Sequence, residues 1–336
     1  MDLDWKNLSF GYIKTDYNIR SYFRDGAWTT PELTTDETVT MHMAATCLHY
    51  GQEAFEGQKA SRGADGVIRI FRPEENAKRM RSSAEYLKMA LPPVDMFVDM
   101  MKRVVKANER FVPPYGTGAS LYIRPVLFGT GPQVGVKPAG EYLLIVFVTP
   151  VGPYYKEGFN PIKVLIDRDH DRAAPLGTGH VKAGGNYAAS LTSAEIGHEK
   201  GYPSVLYLDA KEKKHIDECG AANFFGIRNG VYITPKSHSV LPSITNMSLM
   251  TLAAEMGLKV EQRPVDYDEL GTFDEAGSCG TAAVLSPIGS IYDPQTGHTF
   301  VYNDGKPGKW SEKLYHRLRA IQYAEEPDTY GWMAAL

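Results

Sequence analysis

The chain has 336 residues, 43% apolar and 23% charged, a balance that excludes intrinsic disorder and collagen-like structure and suggests two domains. With 36 basic against 40 acidic residues the formal charge is −4, which leaves no electrostatic footprint for nucleic acid or an anionic membrane. The three cysteines, Cys47, Cys219 and Cys279, are scattered and odd in number, which argues against a disulfide framework or structural zinc and fits a reducing cytoplasm. The polar N-terminus does not read as a signal peptide, and the longest apolar run, residues 143–148, is too short to span a bilayer.

In chain order, IRIF at residues 68–71 reads as a strand that leads into a helix. Pro73, Glu74 and Glu75 suit its first turn, where a missing N–H costs nothing and negative charge meets the helix dipole. Ala77, Met80, Ala84, Leu87 and Leu91 then form one face of 3.6-residue period, and Phe97, Met101, Val104 and Val105 mark a second helix. Residues 120–128 and 142–150 read as buried strands. TPVGPYYKEGFNP, residues 149–161, carries three prolines and two glycines and reads as a linker. The expected division is a small N-terminal domain (1–150), a linker (151–161) and a larger C-terminal domain (162–336).

Beyond the linker, residues 162–169 predict a strand, and the glycine-rich residues 177–186 lead into a helix through Lys200 with Gly201 as its stop. Residues 204–209 predict a strand, and FFGIRNGVYITP predicts a hairpin turning at Asn229-Gly230. Helices follow at residues 243–256, ended by Gly257, and at 309–325. Strands and helices mix throughout, so the class is α/β or α+β.

The signatures of P-loop enzymes, nucleophile-elbow hydrolases and zinc proteases are absent, and GTGPQVG misses the dinucleotide spacing because its third glycine comes one residue late. His42, Cys47 and His49 lack a sensible ligand spacing and read as packed strand and loop, so no metal is expected. Four other pieces carry chemistry. Lys182 sits among Gly177, Gly179, Gly184 and Gly185, where backbone can approach a ligand closely and a desolvated amine becomes nucleophilic; the bland alternative is a solvated loop lysine. Asp217 and Glu218 in HIDECGAANFF offer a carboxylate to a ligand cation, or form a solvated turn. Ser243 and Thr245 open a helix, as an anion site or as an ordinary N-cap. GSCGTAA, with Thr281, offers a second anion contact or a tight turn. Together these supply what pyridoxal phosphate needs: a lysine for its aldehyde, an acid for its ring nitrogen and a cup for its phosphate.

Eight stretches then occur in the order of a known family: HYGQEAFEG, FRPEENAKRMRSSA, YIRPVLFGTGPQVGV, GPYY, KAGGNY, DECGAANFF, LPSIT and GTAA. The ending IQYAEEPDTYGWM matches as well, so the likeness spans nearly the whole chain. On these motifs the chain resembles the branched-chain amino-acid aminotransferases, fold-type IV pyridoxal-phosphate enzymes. The resemblance implies a small N-terminal α/β domain, a larger β-barrel-like domain with flanking helices, and a homodimer or higher homo-oligomer. It implies small-molecule substrates, with neither a nucleic acid nor a membrane as partner.

The resemblance also implies residue roles. Lys182 would be the catalytic Schiff-base lysine and proton shuttle, Glu218 the partner of the ring nitrogen, and Tyr187 the partner of the ring oxygen. Arg79, Ile244, Thr245 and Thr281 would hold the phosphate. Tyr50, Phe55, Tyr122, Arg124 and Tyr154 would form the substrate pocket, and the N–H groups near Thr281 and Ala282 would hold the substrate α-carboxylate. One pocket must take an isobutyl-type side chain and then the carboxylate of glutamate; aromatic walls suit the first, and Arg124 with the Tyr50 and Tyr154 hydroxyls suits the second. Two departures stand out. Ala283 and Ser286 occupy the positions of the redox C-x-x-C of some mammalian members, and Ala221 replaces a threonine found after the glutamate in others. The alternative activities on this scaffold are a D-amino-acid transaminase and an aminodeoxychorismate-lyase-like enzyme; the first and third stretches and the chain length favour the branched-chain transaminase.

Overall fold

The computed structural model describes residues 3–152 and 159–336, and these divide into two units. The first comprises residues 1–154, 181–184 and 320–336, the second residues 155–180 and 185–319, within the described range.

The first unit is built on an antiparallel sheet in the order Met333–Ala335, Ile68–Phe71, Gln58–Arg62, Ser120–Gly129, Tyr142–Val151, Asn18–Arg24, Ala27–Trp28. Alternation along Ser120–Gly129 buries Leu121, Ile123 and Leu127 completely on one face. Helices Pro73–Tyr86 and Val94–Ala107 share that core through Met80, Phe97, Met101, Val104 and Val105. The periodic face of the first helix continues to Leu91, yet the helix stops at Tyr86. Lys88 takes a left-handed φ of 54°, its N–H bonds Glu85 O (3.1 Å) and the Met89 N–H reaches back to Ala84 O (2.8 Å). This is a Schellman stop, with lysine in the position glycine usually fills.

Three boundaries differ from expectation. The buried strand expected over 142–150 runs on to Val151, the first residue assigned to the linker, and residues 153–158 of that linker lie outside the described residues. The C-terminal residues 320–336 group with the first unit, because Met333–Ala335 pairs with Ile68–Phe71. The helix expected through Lys200 is two helices, Gly184–Ala189 and Leu191–Glu199. At the break the N–H (3.1 Å) and Oγ (2.8 Å) of Ser190 both bond Tyr187 O, a local bond that competes with helix continuation.

In the second unit six strands close on themselves: Ile162–Asp167, Ser204–Leu208, Ile216–Cys219, Ala222–Arg228, Glu275–Gly280 and Val284–Asp293, the last returning to pair with the first. The expected barrel with flanking helices is this ring. Closure removes the exposed edges of an open sheet. The hairpin at Asn229-Gly230 forms as expected, with positive φ at both residues as a type I′ turn requires. Val231–Pro235 and Lys259–Arg263 extend the sheet beside the ring.

The buried Asp293 and its partner Arg168 help to anchor this unit. The Asp293 side chain is fully buried and accepts from Arg168 (2.9 and 3.3 Å), Tyr267 Oη (2.7 Å) and the Gln295 N–H (3.0 Å). Burial pushes its pKa up, but the Arg168 and Tyr267 bonds outweigh that and hold it below the ordinary 3.8. A depressed folded-state pKa stabilises above the unfolded pKa, and this contribution is lost as pH falls through the folded value. Asp293→Asn is therefore expected to cost about 1.5–3 kcal/mol at neutral pH, an amount that shrinks in acid. Melting curves of both proteins at neutral and acidic pH test this; a gap independent of pH contradicts it.

Candidate functional site

Lys182 belongs to the first unit and is fixed there by its main chain. Its N–H donates to Ser83 Oγ on helix Pro73–Tyr86 (3.1 Å), and its carbonyl accepts the Phe55 N–H (3.0 Å). The side chain is half-buried, with Nζ 4.7 Å from the Phe55 ring centre. The Arg124 guanidinium stands 4.9 Å from the same ring and 5.2 Å from that of Tyr122, whose hydroxyl accepts from Arg124 at 3.1 Å. One aromatic ring thus holds two cations by its quadrupole, and neither charge is neutralised by it. Arg124 Nε is buried without a hydrogen-bond partner, a donor that an incoming carboxylate satisfies. A Cβ at Gly57 would collide with the Tyr122 hydroxyl, so glycine is required beside this cluster.

Arg79, on the same helix as Ser83, makes a two-pronged pair with Glu56, Nε to Oε1 and a terminal nitrogen to Oε2, both 2.8 Å. Glu56 is fully buried and also accepts from Asn76 Nδ2 (2.7 Å) and the Gly57 N–H (3.3 Å). This orients the guanidinium as planar fork-to-fork pairing does. Tyr50 does not join the Phe55 cluster: it is 42% exposed, its hydroxyl donates to Val134 O, and its ring lies against His49 at 4.1 Å. Tyr154 lies outside the described residues.

In the second unit Glu218 sits on barrel strand Ile216–Cys219, buried rather than in a solvated turn. Its Oε1 accepts the Leu241 N–H (2.6 Å) and Asn223 Nδ2 (3.1 Å), the latter from the residue directly opposite in the register. Its Oε2 is 3.2 Å from Arg172, whose side chain is only 7% exposed and also donates to Gly179 O (2.8 Å) and Ser239 O. Asp217, pointing the other way on the strand, takes the hydroxyls of Ser237 (2.9 Å) and Ser239 (2.7 Å).

Helix Ile244–Glu255 begins with Ser243 as N-cap, its hydroxyl accepting the Asn246 N–H at 3.2 Å. Both readings of this segment meet here. Capping takes the Asn246 N–H, and the N–H groups of the buried Ile244 and Thr245 are the helix-start donors that suit an anion. Thr281 and Ala282 are half-buried in the turn between strands Glu275–Gly280 and Val284–Asp293. Val284, buried and β-branched, holds a left-handed φ of 66° at the end of that turn, a conformation costing about 1–3 kcal/mol that the barrel must enforce. Tyr187 is half-buried on helix Gly184–Ala189.

Sequence reasoning assigned no role to Glu53, Glu56, Arg172 or Asn223. Glu53 and Glu56 lie inside the stretch HYGQEAFEG, and Arg172 lies in a charge-rich run that looks solvated; only the fold shows that each is paired. By chemistry, the second unit offers an acceptor for a protonated ring nitrogen at Glu218 and donors for a phosphate at the helix start, and the first unit offers an amine for a carbonyl at Lys182.

Residues 53–291 match the family described as Amino-transferase class IV. The chain is 48% identical to a branched-chain-amino-acid aminotransferase of Haemophilus influenzae, covering 99% of this chain and 98% of that protein. It is 46% identical to the protein of that name from Helicobacter pylori, covering 99% and 97%. Among solved structures, the Escherichia coli branched-chain amino acid aminotransferase superposes with a TM-score of 0.79 at 26% identity, covering 95% of this chain and 99% of that one. The T.th. branched-chain amino acid aminotransferase with pyridoxamine 5'-phosphate gives 0.79 at 25% identity, covering 96% and 99%.

Proposed function

Because this chain belongs to the amino-transferase class IV family, we propose that it is a pyridoxal-phosphate-dependent branched-chain-amino-acid transaminase. It moves the amino group of L-leucine, L-isoleucine or L-valine to 2-oxoglutarate, giving the branched-chain 2-oxo acids and L-glutamate. The observation that carries this reading is the Phe55 ring shared by Lys182 and Arg124: a half-buried amine beside a buried donor for a second carboxylate.

Bound pyridoxal phosphate supplies an electron sink for the pair left on the substrate α-carbon. Lys182 Nζ would take the proton from the substrate α-carbon and give it up again, acting first as base and then as acid. The Glu218 carboxylate, flanked by Arg172 and Asn223, accepts the ring N–H, and Tyr187 donates to the ring oxygen. Arg79, the N–H groups of Ile244 and Thr245 and the Thr281 hydroxyl hold the phosphate. The turn at Thr281 and Ala282 holds the α-carboxylate. Phe55 and Tyr122 meet the apolar side chain, and Arg124 meets the glutamate side-chain carboxylate. Both half-reactions use these groups in turn, so the kinetics are ping-pong.

Arg124→Ala tests the reading. A charge-assisted hydrogen bond contributes about 1.5–3 kcal/mol, so kcat/KM for glutamate is expected to fall by roughly 10- to 150-fold and that for leucine by only a few-fold. Equal losses for the two substrates contradict the assignment of Arg124.

The same reading places the enzyme in the cytoplasm as a homodimer. Its three cysteines are free, and no helix among the described residues is long and apolar enough to cross a membrane. Met43, Leu48, Val134 and Val136 are exposed on two segments tied together by the Gln133 N–H to Ala44 O bond (2.9 Å), an apolar surface that a second copy would cover.

A further inference from the structure

Strand Glu53–Phe55 runs antiparallel to Ser120–Gly129, with Glu53 opposite Phe128 and Phe55 opposite Val126. Alternation therefore puts Glu53, Phe55, Tyr122 and Arg124 on one face of the sheet. Glu53 is half-buried, and its Oε1 accepts the N–H of Gly184, two residues beyond Lys182. A Cβ at Gly184 would run into this carboxylate, so the glycine and the acid are matched. Burial holds the Glu53 pKa above the ordinary 4.5, and the Gly184 N–H and the charge of Arg124 offset only part of that rise. Arg124 has Tyr122 as its hydrogen-bond acceptor and no ion-pair partner within 4.0 Å among the described residues. Glu53 is a carboxylate on this same face, and its charge and that of Arg124 act on each other.

We propose that Glu53 is a specificity-setting positioning residue: its carboxylate balances Arg124 when an apolar side chain fills the pocket, and so sets how strongly the pocket prefers a dicarboxylate. The inference rests on the transaminase reading above. With the balancing charge present, Arg124 tolerates leucine beside it; without it, the uncompensated guanidinium draws a second carboxylate more strongly. The bond to Gly184 keeps the acid in place, and an amide oxygen at position 53 can accept the same N–H.

The test is Glu53→Gln in the cofactor-loaded protein, with calorimetric binding of two unreactive ligands, glutarate and 4-methylpentanoate. Removing one charge from the face that carries Arg124 is expected to tighten glutarate on the order of five- to tenfold, with 4-methylpentanoate changed less than about twofold. KM for 2-oxoglutarate should fall in parallel while KM for leucine holds. Glu53→Asp, which keeps the charge, should keep the wild-type ratio of the two affinities. Glu53→Ser is read in the same way as Glu53→Gln should the latter not fold. An unchanged glutarate affinity, or equal shifts for both ligands, in a protein that still transaminates overturns this inference alone. A wild-type protein that binds neither ligand and transfers no amino group overturns the transaminase reading, and this inference with it.

Discussion

Lys182→Ala is expected to lower transamination between leucine and 2-oxoglutarate by roughly 10³-fold or more while leaving the melting temperature almost unchanged. The two halves of this expectation come from different atoms. What holds the segment is main chain: the Lys182 N–H on Ser83, its carbonyl under the Phe55 N–H, and the Gly184 N–H on Glu53. None of these bonds is lost when the side chain is cut back. The amine itself is half-buried over Phe55, so its removal takes away chemistry rather than the contacts that fix the chain. Single-turnover kinetics beside a thermal melt separate the two. A variant that still turns over near the wild-type rate removes Lys182 from the reaction; one that melts far lower makes it a structural residue.

Glu218→Ala should damage both activity and stability. Arg172 is buried, and its charge is met by Glu218 together with the Gly179 and Ser239 carbonyls. Removing one partner of a buried pair leaves the other uncompensated, at a cost of about 3–5 kcal/mol. The Leu241 N–H and Asn223 Nδ2 lose their acceptor as well. Glu218→Gln separates the two effects. It keeps an oxygen for Leu241 and Asn223 and should recover part of the stability. It removes the charge that faces a protonated ring nitrogen, and kcat should stay down by about 10²-fold. Chemical denaturation and steady-state rates of both variants test this. Full activity in a folded Glu218→Gln protein contradicts the role of the carboxylate.

The parts of this architecture that are local in the chain were legible in its sequence. The Asn229-Gly230 turn, the Ser243 cap, the Gly257 stop and the apolar face of helix Val94–Ala107 each follow from a few neighbouring residues. Lys182 stood out because glycines surround it, and the ordered motifs then gave the family. What was not legible depends on chain segments meeting in space. The Arg172–Glu218 and Arg79–Glu56 pairs join residues far apart in sequence, and each charged side chain taken alone looks solvated. Met333–Ala335 returns to pair with Ile68–Phe71, which a division of the chain at one linker cannot foresee. Helix Pro73–Tyr86 ended short of its periodic face because lysine, not glycine, takes the left-handed stop.

The most direct measurement is the visible absorption spectrum of the purified protein, supplied with pyridoxal phosphate, before and after L-leucine, with D-alanine as the control. The account predicts a yellow band from cofactor bound at Lys182, bleached by L-leucine and restored by 2-oxoglutarate, and indifferent to D-alanine. Bleaching by D-alanine alone, or no band at all, would contradict it.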